Sequence, residues 1–171
     1  MDDVATAAVE AALAAGAGYA DARVMEIRTE SMDARNGVVE SLDREDRAGV
    51  GVRALVGSSW GFFAVPDVGS GAARRAGERA TAVARASALV PGKDIRLTPQ
   101  APVTGHWESD CREDPWSVGL AEKGDLLESL TRTMLEHGAD LAEASHNIWD
   151  TRKWFVSSDG TKVDQRIVEC G

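Results

Sequence analysis

Residues 36–65, NGVVESLDREDRAGVGVRALVGSSWGFFAV, decide the fold. Asn36-Gly37 is a strong hairpin signal, because both residues tolerate the positive φ of a type I′ turn. From it the stretch reads as three short extended segments. Val38 to Leu42 run out, the charged cluster Asp43-Arg44-Glu45-Asp46 turns the chain, and Gly49 to Leu55 run back. Gly57-Ser58-Ser59 turns it again into Trp60 to Val65, and Pro66 closes the run. Val50, Val52 and Ala54 alternate, the period-2 pattern of a half-buried strand. This meander is the platform on which helices must pack.

Upstream, Asp2 or Asp3 is the expected cap of a first helix with an apolar stripe of Val4, Ala8, Ala11, Ala12 and Ala15, and Gly16 its stop. A strand begins at Tyr19. Downstream, Asp67 is the expected cap of a second helix with Ala76, Ala80, Val83, Ser87 and Val90 on one face, ended by Pro91-Gly92. Residues 91–119 lack periodicity and read as a surface connection with one extended piece, Val103 to Trp107. A third helix near Ala121 is expected to turn Leu126, Leu127, Leu130 and Met134 inward and to stop at His137-Gly138. Asp140 to Ser157 and Lys162 to Glu169 are extended, joined at Asp159-Gly160.

The last third repeats the first. In both, a helix stops at Gly, Ala-Asp precedes a strand, and a hairpin turns at Asn-Gly or Asp-Gly. The fold expected is α+β: a largely antiparallel sheet with helices packed on it, built from a duplicated helix–strand–strand unit. Residues 1–171 make one domain on this reading. The second copy stops where the first continues into another strand, so the domain is expected to be cut before its last strand, leaving Lys162–Glu169 as an open edge.

A net charge of −9 argues against binding nucleic acid through its phosphates or an anionic membrane surface. No apolar run approaches the roughly 20 residues that span a bilayer, and the acidic start MDDVATAAVE is unlike a signal peptide, so a cytoplasmic protein is expected. Aromatics are 5% of the chain, which predicts a core of small aliphatic side chains.

The chemistry-bearing residues are few. Gly49 to Ala54 fits GxGxxA, but a strand pattern surrounds it and no helix follows, so the glycines are read as close backbone approaches. His106, His137, His146, Cys111 and Cys170 lie in different elements without metal-ligand spacing; His137 at a helix end complements the dipole. The two cysteines are expected to be free thiols. Asp43, Glu45 and Asp46 read as a solvated turn. No catalytic, cofactor or metal residue is assigned. Trp60, Trp107, Trp116, Trp149 and Trp154 are the large anchors. Trp149 and Trp154, five apart on a strand, take opposite faces, one for the core and one available to a partner.

Gly18-Tyr19-Ala20-Asp21-Ala22-Arg23, Asn36 to Glu40, Gly49 to Arg53 and Trp60 to Ala64, in this order, resemble the amino-terminal domain of the TldD/PmbA family. Asp114-Pro115-Trp116-Ser117 with Glu122-Lys123, and Ser158 to Thr161, resemble later landmarks; the GVGVRA and WGF wording is closer to the TldD branch. The resemblance implies a zinc metallopeptidase that works as a two-subunit TldD/TldE-type assembly on small or unfolded peptides, also described as a modulator of DNA gyrase. Its HExxxH helix and cysteine ligand belong to a carboxy-terminal half, so zinc is expected there and this chain is expected to be inactive alone. The function expected is that of the non-catalytic amino-terminal domain, contributing peptide passage and subunit contacts. The rival is a stand-alone peptide- or protein-binding regulatory module, and a small independent enzyme comes third. An HExxxH downstream of codon 171 separates the first two.

Overall fold

The computed structural model describes residues 1–90 and 93–171. The elements are α1 (Asp2–Ala14), β1 (Tyr19–Arg35), β2 (Val38–Val56), β3 (Ser59–Val65), α2 (Ser70–Ser87), β4 (Thr104–Glu108), a 3-10 turn (Pro115–Ser117), α3 (Leu120–Glu136), β5 (Glu143–Ser157) and β6 (Lys162–Cys170). The strands form one sheet in the order β3-β2-β1-β5-β6-β4.

β2 and β3 are antiparallel, with Arg53 opposite Phe62 and Leu55 opposite Trp60. β1 and β5 are antiparallel too: Ser158 N–H donates to the Ala20 carbonyl, and Asn36 N–H to that of Ala142. β4 runs parallel to β6, because Lys162 N–H donates to Val103 and Ser109 N–H to Arg166. The sheet is therefore largely antiparallel with helices packed on it, an α+β fold as the sequence predicts. β6 is not an open edge: β4 occupies the flank that the repeat pattern left vacant.

The repeat itself is visible in the helix ends. In α1, Gly16 (φ +96°) donates to Leu13 and Ala17 to Ala12. In α3, Gly138 (φ +94°) donates to Leu135 and Ala139 to Met134. Both are the paired hydrogen bonds of a Schellman stop, which leads each helix into a strand at the same point of its copy.

The chain forms two compact units. The first comprises Met1–Glu26, Arg47–Trp107 and Arg152–Gln165; the second comprises Ile27–Asp46, Glu108–Thr151 and Arg166–Gly171. In the first, α1 and α2 cover a sheet face made by Ala20, Ala22, Val24, Val50, Val52 and Ala54, with Val156 and half-buried Trp154 beside them. Small side chains dominate this core, as the composition implies, and they let backbones meet. A Cβ on Gly77 would lie 2.2 Å from the Ala8 carbonyl oxygen, and one on Gly61 would lie 2.1 Å from that of Ala80. Thr81, fully buried, donates to Ala12 and Gly77 carbonyls.

In the second unit Met32, Ala34 and Leu127 form the apolar centre. Beside them Lys123 donates to Glu30 at 2.7 Å, with both side chains buried, and Arg44 also pairs with Glu30. Thr131 accepts from the Gly37 amide at 2.9 Å and Arg132 donates to the Gly37 carbonyl at 3.0 Å, so α3 grips the Asn36-Gly37 turn.

Several expectations are corrected. Asp43-Arg44-Glu45-Asp46 does not turn the chain; β2 runs through it unbroken. The cluster holds no Gly, Pro or Asn, and Arg44 and Asp46 find opposite charges in Glu30 and Arg28 on β1. Asp2 and Asp3 lie inside the first turn of α1, after Met1 as N-cap. Asp67 accepts from Gly69 N–H at 2.8 Å, and α2 starts one residue beyond Gly69. The buried face of α2 is Ala72, Ala73, Ala76, Gly77, Ala80, Thr81 and Ala84, whereas Val83 is exposed and Val90 lies past the helix. Pro91-Gly92, the expected stop, lies outside the described residues. In α3 the buried residues are Lys123, Leu127 and Thr131, while Leu126, Leu130 and Met134 are exposed.

Candidate functional site

The face of the first unit's sheet that α1 and α2 leave bare is set by the same alternation that builds the core. With Ala20 and Ala22 inward, Tyr19, Asp21 and Arg23 point the other way; with Val52 and Ala54 inward, so do Gly51, Arg53 and Leu55. The β2–β3 register places Phe62 beside Arg53 and Trp60 beside Leu55.

Asp21 is the hub. Its side chain is fully buried, and Arg53 closes on it through Nε (3.0 Å) and Nη2 (2.7 Å) in a bidentate pair. Arg23 Nη1 donates to the same carboxylate at 2.8 Å. Each guanidinium also covers an aromatic ring: Arg53 lies 5.3 Å from the centre of Trp60, and Arg23 lies 4.9 Å from that of Phe155. Tyr19 meets Trp60 edge to face with ring centres 5.8 Å apart. Burial, then the charge of Asp21 and its hydrogen bond, push the Tyr19 phenol up to about 12. The hydrogen bond to Asp21 likewise raises Arg53, which stays charged. Phe62, 61% exposed, completes the layer.

This face has no nucleophile–base pair. It is a rigid aromatic and cationic surface, the composition that anchors protein interfaces. Tyr19, Asp21, Arg23 and Arg53 appear in the sequence as family landmarks only; their alternation about buried alanines and valines is the signal that marks them as one surface.

The residues with metal or nucleophile chemistry lie elsewhere. In the first unit His106 pairs with Asp164 through Nδ1. In the second, His137 caps α3, its Nδ1 2.8 Å from the Thr133 carbonyl. Among the described residues, buried His146 Nδ1 has no hydrogen-bond partner. Cys111 and Cys170 are free and exposed. Cys111 donates to the Glu113 carbonyl and lines an open groove of about 370 Å³ with Glu108, Asp110, Asp114 and Arg166. Cys170 lines another with Asn147 and Trp149. Among the described residues, no three His, Cys, Asp or Glu side chains gather where a metal ion could sit.

Gly49 and Gly51 lie inside β2, where added Cβ atoms would come 2.9 Å from the Val65 carbonyl and 3.3 Å from the Phe62 ring. They are close approaches, as read, and no dinucleotide turn. Trp154 packs on the core and Trp149 is exposed, the expected division. The Asp114-Pro115-Trp116 landmark forms the 3-10 turn, with Arg28 stacked 3.9 Å above Trp116.

Residues 20–84, which carry β1 to β3, most of α2 and the Asp21 hub, match the family model described as PmbA/TldA metallopeptidase domain 1. Over these residues the chain is similar to the PmbA/TldD family. A metalloprotease of Methanocaldococcus jannaschii, MJ0996, is 22% identical over 152 residues, covering 89% of this chain and 34% of that protein. Among solved structures, TldE from Thermococcus kodakarensis superposes with a TM-score of 0.70 at 14% identity, over 98% of this chain and 37% of that one. A candidate modulator of DNA gyrase from Thermotoga maritima gives 0.69 at 14% identity, over 98% and 37%. These structures share the fold. The chain spans about a third of the length of the relatives it matches. No helix among the described residues is long and apolar enough to cross a membrane.

Proposed function

We propose that this chain acts as the non-catalytic amino-terminal domain of a TldD-like zinc metallopeptidase working in the cytoplasm on small or unfolded peptides. Zinc and the hydrolytic step belong to a carboxy-terminal half, while this domain supplies contacts to a TldE-type partner subunit and borders the peptide's path. The observation that carries the reading is the bare face in which Asp21 locks Arg53 and Arg23 against Trp60 and Phe155. Arginines held in place and stacked aromatics lose little freedom on docking, so their burial turns into affinity. Next to that face, β3 has a strand neighbour on one side only and carries exposed Phe62 and Phe63. Such an edge accepts an extended peptide through main-chain hydrogen bonds without demanding a particular sequence.

Hydrogen exchange on the full-length protein tests both roles. Adding the partner subunit is expected to slow amides in 19–23, 51–55 and 59–65; adding an unstructured peptide is expected to slow 59–65. Slowing confined to other segments defeats the proposal.

A further inference from the structure

Two helices present outward faces with opposite charge. On α2, Arg75 and Arg79 lead along the exposed side to Val83, and Leu89 continues the apolar surface just past the helix. On α3, Glu122 and Asp125 lead to Leu126, Leu130 and Met134, which are 55%, 43% and 43% exposed. A soluble helix normally turns such a stripe inward; here Lys123, Leu127 and Thr131 take the inward face, so the apolar stripe is left over. Neither Arg75 and Arg79 nor Glu122 and Asp125 have an ion-pair partner among the described residues.

We propose that the α2 face of one copy of this chain docks on the α3 face of a second copy. The charges are complementary, and so is their spacing: Arg75 precedes Val83 by the same eight residues by which Glu122 precedes Leu130. Aligned in parallel, the basic end of α2 lies along the acidic end of α3, and Val83 meets Leu130. Because the two patches differ, the contact is heterologous, and the pair keeps one free patch of each kind, the α3 face of one copy and the α2 face of the other, to continue a ring or a chain. One helix pair buries less than the roughly 1,200–2,000 Å² of a stable interface, so the association is weak. It rests on these two helices alone and is independent of the proposed function.

Salt dependence distinguishes this docking from generic sticking. At a net charge of −9, copies repel one another, and added salt relieves that repulsion. Non-specific association therefore grows with salt, whereas docking driven by opposed charges falls.

The test is sedimentation of the full chain from micromolar to millimolar concentration at low and high salt. The mean mass is expected to rise with concentration at low salt and to fall back when salt is added. Arg75→Glu/Arg79→Glu and Glu122→Lys/Asp125→Lys should each weaken association at least tenfold. An equimolar mixture of the two variants should restore it, since each supplies the charge the other has reversed. Leu130→Gln should weaken it without a charge change, and circular dichroism verifies that every variant is folded. A monomer at all concentrations overturns the proposal. So does association that survives reversal of α2, or a mixture of the reversed variants that stays monomeric.

Discussion

Lys123→Met should be among the most damaging substitutions outside the alanine-lined core. The Lys123 ammonium, 4% exposed, lies 2.7 Å from Glu30, whose side chain is fully buried. Removing one partner of a buried pair costs about 3–5 kcal/mol, because the remaining charge stays desolvated. Arg44 still pairs with Glu30 from the surface, which places the loss near the lower end, about 3 kcal/mol. For a chain of this length, each kcal/mol moves Tm by roughly 2–4 °C, so calorimetry should read a drop of roughly 6–12 °C. Glu30→Leu with Lys123→Met removes both charges, and the double variant should lie within about 1 kcal/mol of the parent. The Glu30 carboxyl supplies a second readout. Burial pushes it up, but hydrogen bonds and charge from Lys123 and Arg44 outweigh that and leave it below its ordinary 4.5. Its contribution is therefore fully present above that ordinary value and is lost as the pH falls through the folded value, so Glu30→Gln should flatten the acid side of the stability curve. A Lys123→Met variant melting within about 2 °C of the parent, with additive effects in the double, would refute the reasoning.

Tyr19 is the only tyrosine, so absorbance titration of the folded protein should show one phenol step near pH 12. Because the folded value is raised, its stabilisation is complete below about 10 and lost between 10 and 12; a native step near 10 would contradict the burial of this phenol beside Asp21. Gly61→Ala should cost about 3 kcal/mol or more in chemical unfolding, since the new methyl would lie 2.1 Å from the Ala80 carbonyl oxygen; a loss under about 1 kcal/mol would mean that α2 and β3 are not so close. Zinc or EDTA should leave the Tm of this chain unchanged, whereas a bound ion at a hundredfold excess over Kd adds roughly 2.7 kcal/mol, a shift calorimetry would show.

The sequence was most legible where backbone geometry demands a residue type. Asn36-Gly37, Gly16, Gly138 and Gly160 all have positive φ, and they fix the turns and helix stops that reveal the duplication. Alternation likewise marked Val50, Val52 and Ala54 as core. Legibility failed where side chains satisfy one another over long sequence distances. Asp43 to Asp46 looks like a turn until Glu30 and Arg28 on the neighbouring strand are known to balance Arg44 and Asp46. α3 was rotated by the assumption that leucines face inward; Lys123 is inside because Glu30, 93 positions away, is there to receive it. β4 was legible as an extended piece, but its parallel pairing with β6 depends on a connection that carries no periodicity. The Asp21 face shows the same limit: its arginines and aromatics come from four strands, and no local spacing brings them together.

The most direct test of the proposed subunit-facing role is the affinity of the full-length protein for the proposed TldE-type partner, measured by calorimetry with Trp60→Ala and Phe62→Ala beside the parent. Phe62 is exposed, so its loss leaves the fold intact. Interface anchors of this kind are worth about 1.4–2.8 kcal/mol, and each variant should bind about tenfold to a hundredfold more weakly. Unchanged affinity in both, with the parent complex formed normally, would contradict the assignment of this face to the partner.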